Sequence, residues 1–298
     1  MATHAQPASG LGRRARRLSD QETERRMLRA AVAMVSRAGL TVSLDHISLE
    51  EIIRDADVSR SAVYRRWPYK DLFFSDLVKE LAKNATPTIV DDELDLIRRV
   101  VAERLDWLQT PGLRHGLLVE LIRELALLDF RTLHGSQRWR TYLALQATFE
   151  SLADGQLRDQ VQRALARSER DHMARVARAW EHATGLLGYR LRPELGATFE
   201  TLATLLDATM RGLVIMALSM PGLGGHRVRA TPFGAAAEGE WSLPALGLGS
   251  TVAAFLEPDP SVVWDDERLA SVRQALASLG DGPLGIRPGQ DLGHPADG

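Results

Sequence analysis

The sequence predicts an all-α protein, in which an N-terminal three-helix helix-turn-helix domain precedes a larger helical-bundle domain. Three observations predict it. Caps and a proline stop mark two short helices between residues 48 and 68. Beyond residue 84 apolar side chains recur at three- and four-residue spacing, and no stretch alternates usefully as a strand would. The chain has 298 residues, 45% of them hydrophobic and 26% charged, enough for two domains with a substantial core.

Residues 48–71 read SLEEIIRDADVSRSAVYRRWPYKD. Ser48 and Glu51 have capping-box spacing, and Ile47 and Ile52 have the spacing of a hydrophobic staple, so a helix should begin at Leu49. Asp55-Ala56-Asp57 favours a turn. Ser59 then offers a second N-cap, with Val58 and Val63 as its staple, and a second helix should run from Arg60 to Arg66. Trp67-Pro68 ends it, because the residue before proline is pushed out of the helical region. At about 100° per residue, Arg60, Ser61, Tyr64 and Arg65 share one arc of the second helix while Val63 lies outside it. Guanidinium groups on that face can pair with guanine edges or phosphates, Tyr64 suits a phosphate oxygen, and the helix start at Ser59 attracts anions.

The run VSRSAVYRRWPYKDLF at 58–73 resembles the helix-turn-helix of tetracycline-repressor-like (TetR/AcrR) transcriptional regulators. The resemblance extends back through ERRMLRAAVAMVSRAGL at 24–40, similar to that family's first helix with its terminal glycine at Gly39, and covers about 65 residues. It implies that Tyr64 and Lys70 bind phosphates, that Arg60, Ser61 and Arg65 face bases or nearby phosphates, and that Ser48 and Ser59 belong to the same DNA-binding surface. The sequence departs from the family at four places. Asp57 stands where the family has glycine at the turn, Ala62 where it often has threonine, Tyr69 where a small N-cap is usual, and the link from Gly39 to Ser48 is a few residues longer than the family's.

Charge divides along the chain in the same sense. Residues 1–83 hold 15 Lys/Arg against 11 Asp/Glu, and the remainder 22 against 28. Arg13, Arg14, Arg16 and Arg17 lie in a segment of little apolar content, so 1–19 is expected to be a disordered basic arm able to enter a minor groove or bind phosphates, or simply to be solvated. There is no cysteine, which excludes disulfides, zinc–cysteine sites and thiol nucleophiles. No apolar run reaches the roughly 18 residues expected of a membrane span and no signal peptide is recognised, so the expected location is cytoplasmic, with no membrane partner.

The DNA-binding domain is expected over 20–84 and the effector-binding and dimerisation domain over 85–220. In the latter, helices are expected over 91–109, ending at Thr110-Pro111-Gly112, then over about 113–128, 136–152 and 156–187, and from Pro193 to Pro221. Residues 221–280 form an expected long loop, to about 246, and a C-terminal helical extension with helices near 250–256 and 265–279. A disordered tail is expected over 281–298.

In the helix after Pro193, Leu202, Leu205, Leu206, Met210, Leu213 and Met216 are too many large apolar groups to leave in water. By periodicity they face either the domain core or a second subunit. The family resemblance implies the second, a homodimer through C-terminal helices, with Leu202, Leu206, Met210 and Leu213 at its interface. It also implies a small-molecule effector in the helical domain, of unspecified identity, that alters the spacing of two DNA-reading heads set about 34 Å apart on a palindromic operator. Trp107, His115, Arg123, Trp139 and Tyr142 lie where such a pocket would form.

The function these readings imply is sequence-specific binding of double-stranded operator DNA by a dimeric repressor that its ligand releases. The alternatives are a helical protein-interaction module or an enzyme. His172 and His182 are ten residues apart and match no zinc-protease spacing, and no nucleophile elbow, P-loop or dinucleotide fingerprint is found. No catalytic residue, metal ligand or cofactor is therefore expected.

Overall fold

The computed structural model describes residues 19–38, 48–83 and 91–277. The arginine arm, Ile47 with its staple, the Gly39–Ser48 link and the tail at 281–298 lie outside the described residues. The chain divides into two units, 1–84 with 143–164 and 85–142 with 165–298.

In the first unit α1 (Asp20–Ala38) is capped by Ser19, whose hydroxyl accepts the Glu22 N–H at 3.1 Å. Thr23, Met27, Ala31 and Val35, four residues apart, make its buried stripe. That stripe packs against α2 (Leu49–Asp55), α3 (Arg60–Arg66) and α4 (Lys70–Lys83). Ile52, Val63, Trp67, Phe73 and Leu77 complete the core. Trp67 lies edge-on to Phe73 at 5.1 Å, and its indole N–H donates to Asp76 at 2.9 Å, so the ring is buried without an orphaned donor. The unit also holds the end of α7 (Gln137–Glu150) and the start of α8 (Gln156–Leu186). Between them Arg158 donates to the carbonyls of Phe149 and Leu152, at 3.1 and 2.7 Å, satisfying acceptors that the end of α7 leaves free.

The second unit is built around α6 (Pro111–Gly135), α9 (Phe199–Ser219) and α10 (Leu243–Phe255), which pack on one another, with α5 (Asp91–Ala102) on α6 and α11 (Asp266–Ala277) on α5. Several expected boundaries move. The helix expected over 91–109 stops at Ala102, and a 3-10 turn follows over Leu105–Gln109. Thr110-Pro111-Gly112 starts α6 as well as ending what precedes it. The Thr110 hydroxyl accepts the Leu113 N–H at 3.3 Å, and Pro111 takes the first-turn place where no N–H is needed. Pro193 opens only a 3-10 turn, which Gly196 closes at φ 55°; a reciprocal Thr198–Thr201 capping box then starts α9 at Phe199.

The largest correction concerns strands. The expected loop at 221–246 contains an antiparallel ribbon, β2 (Arg227–Ala230) with β3 (Gly239–Ser242), in which Val228 pairs with Trp241. A second ribbon pairs β1 (Tyr189–Leu191) with β4 (Leu256–Pro258). Strands of three or four residues are too short to show a period, and the β1–β4 partners are far apart in sequence. Ser242 caps α10 through the Ala245 N–H at 3.2 Å, so that helix begins seven residues before the expected Ser250.

Helix α9 is long and apolar enough, by length and composition, to cross a membrane, which corrects the expectation that no run reaches that length. In this fold it packs on α6 and α10 and carries Asp207 and Arg211 into an ion-pair network. Leu202, Leu206 and Met210, expected at a subunit interface, are buried in this unit's own core at 0, 4 and 2% exposure. Leu213 is half-buried. The exposed apolar side chains of α9 are instead Leu205, Ile215, Met216 and Leu218.

Candidate nucleic-acid interface and ligand cavity

The two short helices at 49–66 stand as their caps dictate. Ser48 accepts the Glu51 N–H and Ser59 accepts the Ala62 N–H, each at 3.3 Å. Only the serine half of the expected Ser48–Glu51 box forms among the described contacts. The turn between the helices passes through Asp57 at φ 51°, a left-handed backbone that glycine adopts freely and that Asp tolerates better than most residues. Ile52, Ile53 and Val63 face inward. Ser59, Arg60, Ser61, Tyr64 and Arg65 are exposed on α3, and Lys70 is exposed at the first position of α4. The helical arc read from the sequence is thus one exposed surface, with Ser48 half-buried beside it.

The cations on that surface are not bare. Arg60 pairs with Glu50 at 2.6 Å, and the Tyr64 hydroxyl donates to the same carboxylate at 3.4 Å. Arg65 pairs with Asp20 of α1, and the Lys70 ammonium sits 4.9 Å from the Phe74 ring centre. Arg66, by contrast, is held between Glu24 and Asp76, at 3.1 and 3.3 Å, and ties α3 to α1 and α4. Exposed pairs of the first kind are worth about 0–1 kcal/mol each. A polyanion can exchange them.

The second unit encloses a cavity of about 220 Å³ between α6, α10, the two ribbons and the turn at Pro232–Gly234. Of the five residues proposed from the sequence for a pocket, His115 alone lines it. Its Nε2 lies 2.6 Å from the Phe233 carbonyl and its Nδ1 2.7 Å from the Tyr189 hydroxyl. A carbonyl only accepts, so Nε2 carries the proton and, in the neutral ring, Nδ1 accepts from Tyr189. Burial pushes the Tyr189 phenol up to about 12, keeping it a donor. Phe233 itself has φ 58°, and its ring lies edge-on to Trp241 at 5.6 Å. A Cβ at Gly249 would fall 2.5 Å from that ring, so only glycine in α10 admits it.

The other four proposed residues do other work. Trp107 covers Gly116 of α6, and a Cβ there would come within 3.3 Å of its ring. Arg123 is held by Glu120 at 2.8 Å and donates to the Glu240 carbonyl at 3.1 Å, tying β3 to α6. Trp139 stacks on Tyr142 at 5.1 Å, and both are buried. Tyr142 donates to Glu169 at 2.5 Å and accepts from Arg211 at 2.6 Å. Arg211 also pairs with Glu169 at 3.0 Å and with Asp207 at 2.6 Å, and buried His172 lies 3.7 Å from Asp207. Asp129 of α6 faces this group. Desolvation, with the Asp207 charge adding to it, pushes its carboxyl up to about 6, against a smaller opposing effect of His172.

Sequence reasoning missed this network, although Asp207 and Arg211, one helical turn apart in an otherwise apolar run, were a legible signal. It also missed most of the cavity wall, since Phe233 and Trp241 lie in the segment read as loop. Among the described residues no group of His, Asp and Glu is placed to hold a metal ion.

No family model matches the chain. Over 84 residues, 27% of the chain, it is 38% identical to uncharacterized HTH-type transcriptional regulators of Mycobacterium tuberculosis and Mycobacterium bovis. The match spans 42% of those relatives' length. Among solved structures, SmeT, the repressor of the Stenotrophomonas maltophilia multidrug efflux pump SmeDEF, is similar in its triclosan complex at 23% identity and a TM-score of 0.39, covering 82% of this chain and 99% of that one. TylP, a TetR regulator from Streptomyces fradiae, is 16% identical with a TM-score of 0.35, over 86% of this chain and 90% of that one.

Proposed function

We propose that the chain is a DNA-binding transcriptional regulator of the tetracycline-repressor type, acting in the cytoplasm as a homodimeric repressor that a small molecule releases from a palindromic operator. One observation carries the reading. Capped α2 and α3 present Arg60, Ser61, Tyr64 and Arg65 on one exposed face with Lys70 beside it, and Val63 and Trp67 anchor that face to the core. Such a helix offers cations and hydroxyls to base edges and phosphates of a major groove. The similarity to HTH-type transcriptional regulators supports the same reading.

A palindrome requires a twofold partner. The exposed apolar side chains of α9, Leu205 and Met216 among them, are the surface we assign to it, in place of the core residues Leu202, Leu206 and Met210. The cavity beside His115 is the effector site on this reading.

The test is selection of bound duplexes from a random pool, followed by affinity measurements across salt. A palindromic sequence should emerge, and Tyr64→Phe and Lys70→Ala should each weaken binding several-fold while leaving the fold intact. Recovery of no preferred sequence, or unchanged affinity in both variants, would reject the assignment.

A further inference from the structure

The cavity in the second unit has walls that specify the chemistry of its occupant. Leu118, Ile122, Val252, Leu256, Phe233 and Trp241 give it a carbon surface. Its polar members differ in what they have left to offer. Both ring nitrogens of His115 are engaged, and Tyr189 spends its hydroxyl proton on one of them. Arg192 is different. Its nearest carboxylates, Glu257 and Glu194, stand at 3.7 and 3.8 Å, beyond hydrogen-bond distance. Glu257 is already held by Arg190 at 2.8 Å. Arg192 is also partly exposed, at 37% of its side chain, whereas Leu256 and Val252 of the same lining are buried.

We infer that this cavity binds a small amphipathic carboxylic acid, its hydrocarbon body against α6 and α10 and its carboxylate on Arg192. A guanidinium that keeps donors free selects a planar anion it can meet with two parallel bonds. An amine would meet Arg192 as a like charge, and the two carboxylates near that guanidinium, Glu257 and Glu194, are not among the residues that line the cavity. At the packing density of protein interiors the space suits a body of about eight to twelve heavy atoms. The assignment of ligand class rests on the reading of this unit as the effector domain, but binding itself can be measured without DNA.

Octanoate is the probe, titrated by calorimetry into the full-length protein, with octanamide and octylamine as controls of equal length. Octanoate is expected to bind at one site per chain, and octanamide about tenfold or more weaker, since it cannot form the charge-assisted pair. Arg192→Gln should bring octanoate down to the level of the amide. Ala253→Phe, at an exposed position of α10 that lines the cavity, should abolish binding of both without disturbing the core. Equal affinity for acid and amide, unchanged octanoate binding in Arg192→Gln, or no binding of octanoate at all would overturn the proposal. Adding the selected duplex separates the two readings. Octanoate that binds without loosening DNA upholds the cavity assignment and removes its effector role; intact DNA binding with no octanoate binding removes the cavity assignment alone.

Discussion

Glu50 is predicted to restrain DNA binding, and its replacement by Gln should strengthen it. The carboxylate lies in the first turn of α2, accepts the Arg60 guanidinium at 2.6 Å, and takes a hydrogen bond from Tyr64. Both groups must leave it to reach phosphates. Arg60 is 72% and Glu50 45% exposed, so the pair is solvent-screened and worth at most about 1 kcal/mol. Releasing it should raise affinity up to about fivefold at low salt, 1.4 kcal/mol being a factor of ten. Freeing one cation should also steepen the salt dependence by up to about 0.9 in the slope of log K against log salt. Fluorescence anisotropy with the selected duplex, at salt concentrations bracketing the physiological, measures both quantities. Circular dichroism checks that losing a negative charge near the N-terminus of α2 has not unfolded it. Weaker binding by folded Glu50→Gln at every salt concentration would refute the reasoning, because Glu50 would then be helping the cations to their targets.

Three further outcomes follow from the geometry. Asp57 sits at φ 51°, so Asp57→Gly should be more stable than Asp57→Ala by about 1 kcal/mol in denaturant unfolding, and equal stabilities would place the turn elsewhere in backbone space. The Asp129 carboxyl is pushed up from 3.8 to about 6 in the fold, so the folded chain binds the extra proton and the wild type gains stability as pH falls through that window and loses it as pH rises. Asp129→Asn should therefore match the wild type near pH 4 and exceed it above pH 6 by about 1–3 kcal/mol, the full linkage value reduced for partial exposure; parallel melting temperatures from pH 4 to 7.5 would contradict this. Met216→Glu, at an exposed site on α9, should shift a sedimenting dimer toward monomer with the fold unchanged, and a dimer of unaltered strength would take α9 out of the interface.

What could be read from the sequence was what local chemistry determines. Ser48, Ser59 and Asp57 act within a few residues of themselves, and they placed α2, the turn and α3 where the structure has them. Tyr64 faces outward for the same reason, since a helical arc is fixed once the helix ends are. Periodicity, however, tells which side chains share a face and not what covers that face. Leu202, Leu206 and Met210 made an apolar stripe that a second subunit or the chain's own core could equally cover, and the core covers it. The cavity was beyond reach for a different cause. It is assembled from α6, β1 and the 221–258 segment, and the bond from His115 to Phe233 spans 118 positions. Glycine and proline there signalled a loop, when they served a tight turn and a close helix approach.

Ser242 is at once the last residue of β3 and the cap of α10. Ribbon and helix are therefore joined without a linker, and no residue between them can absorb a displacement. Whatever shifts the turn at Phe233, or the strand behind it, is delivered to the first turn of α10, whose length lies against α9. The segment that reads as slack in the sequence is, from Gly239 to Phe255, one unbroken run of strand and helix.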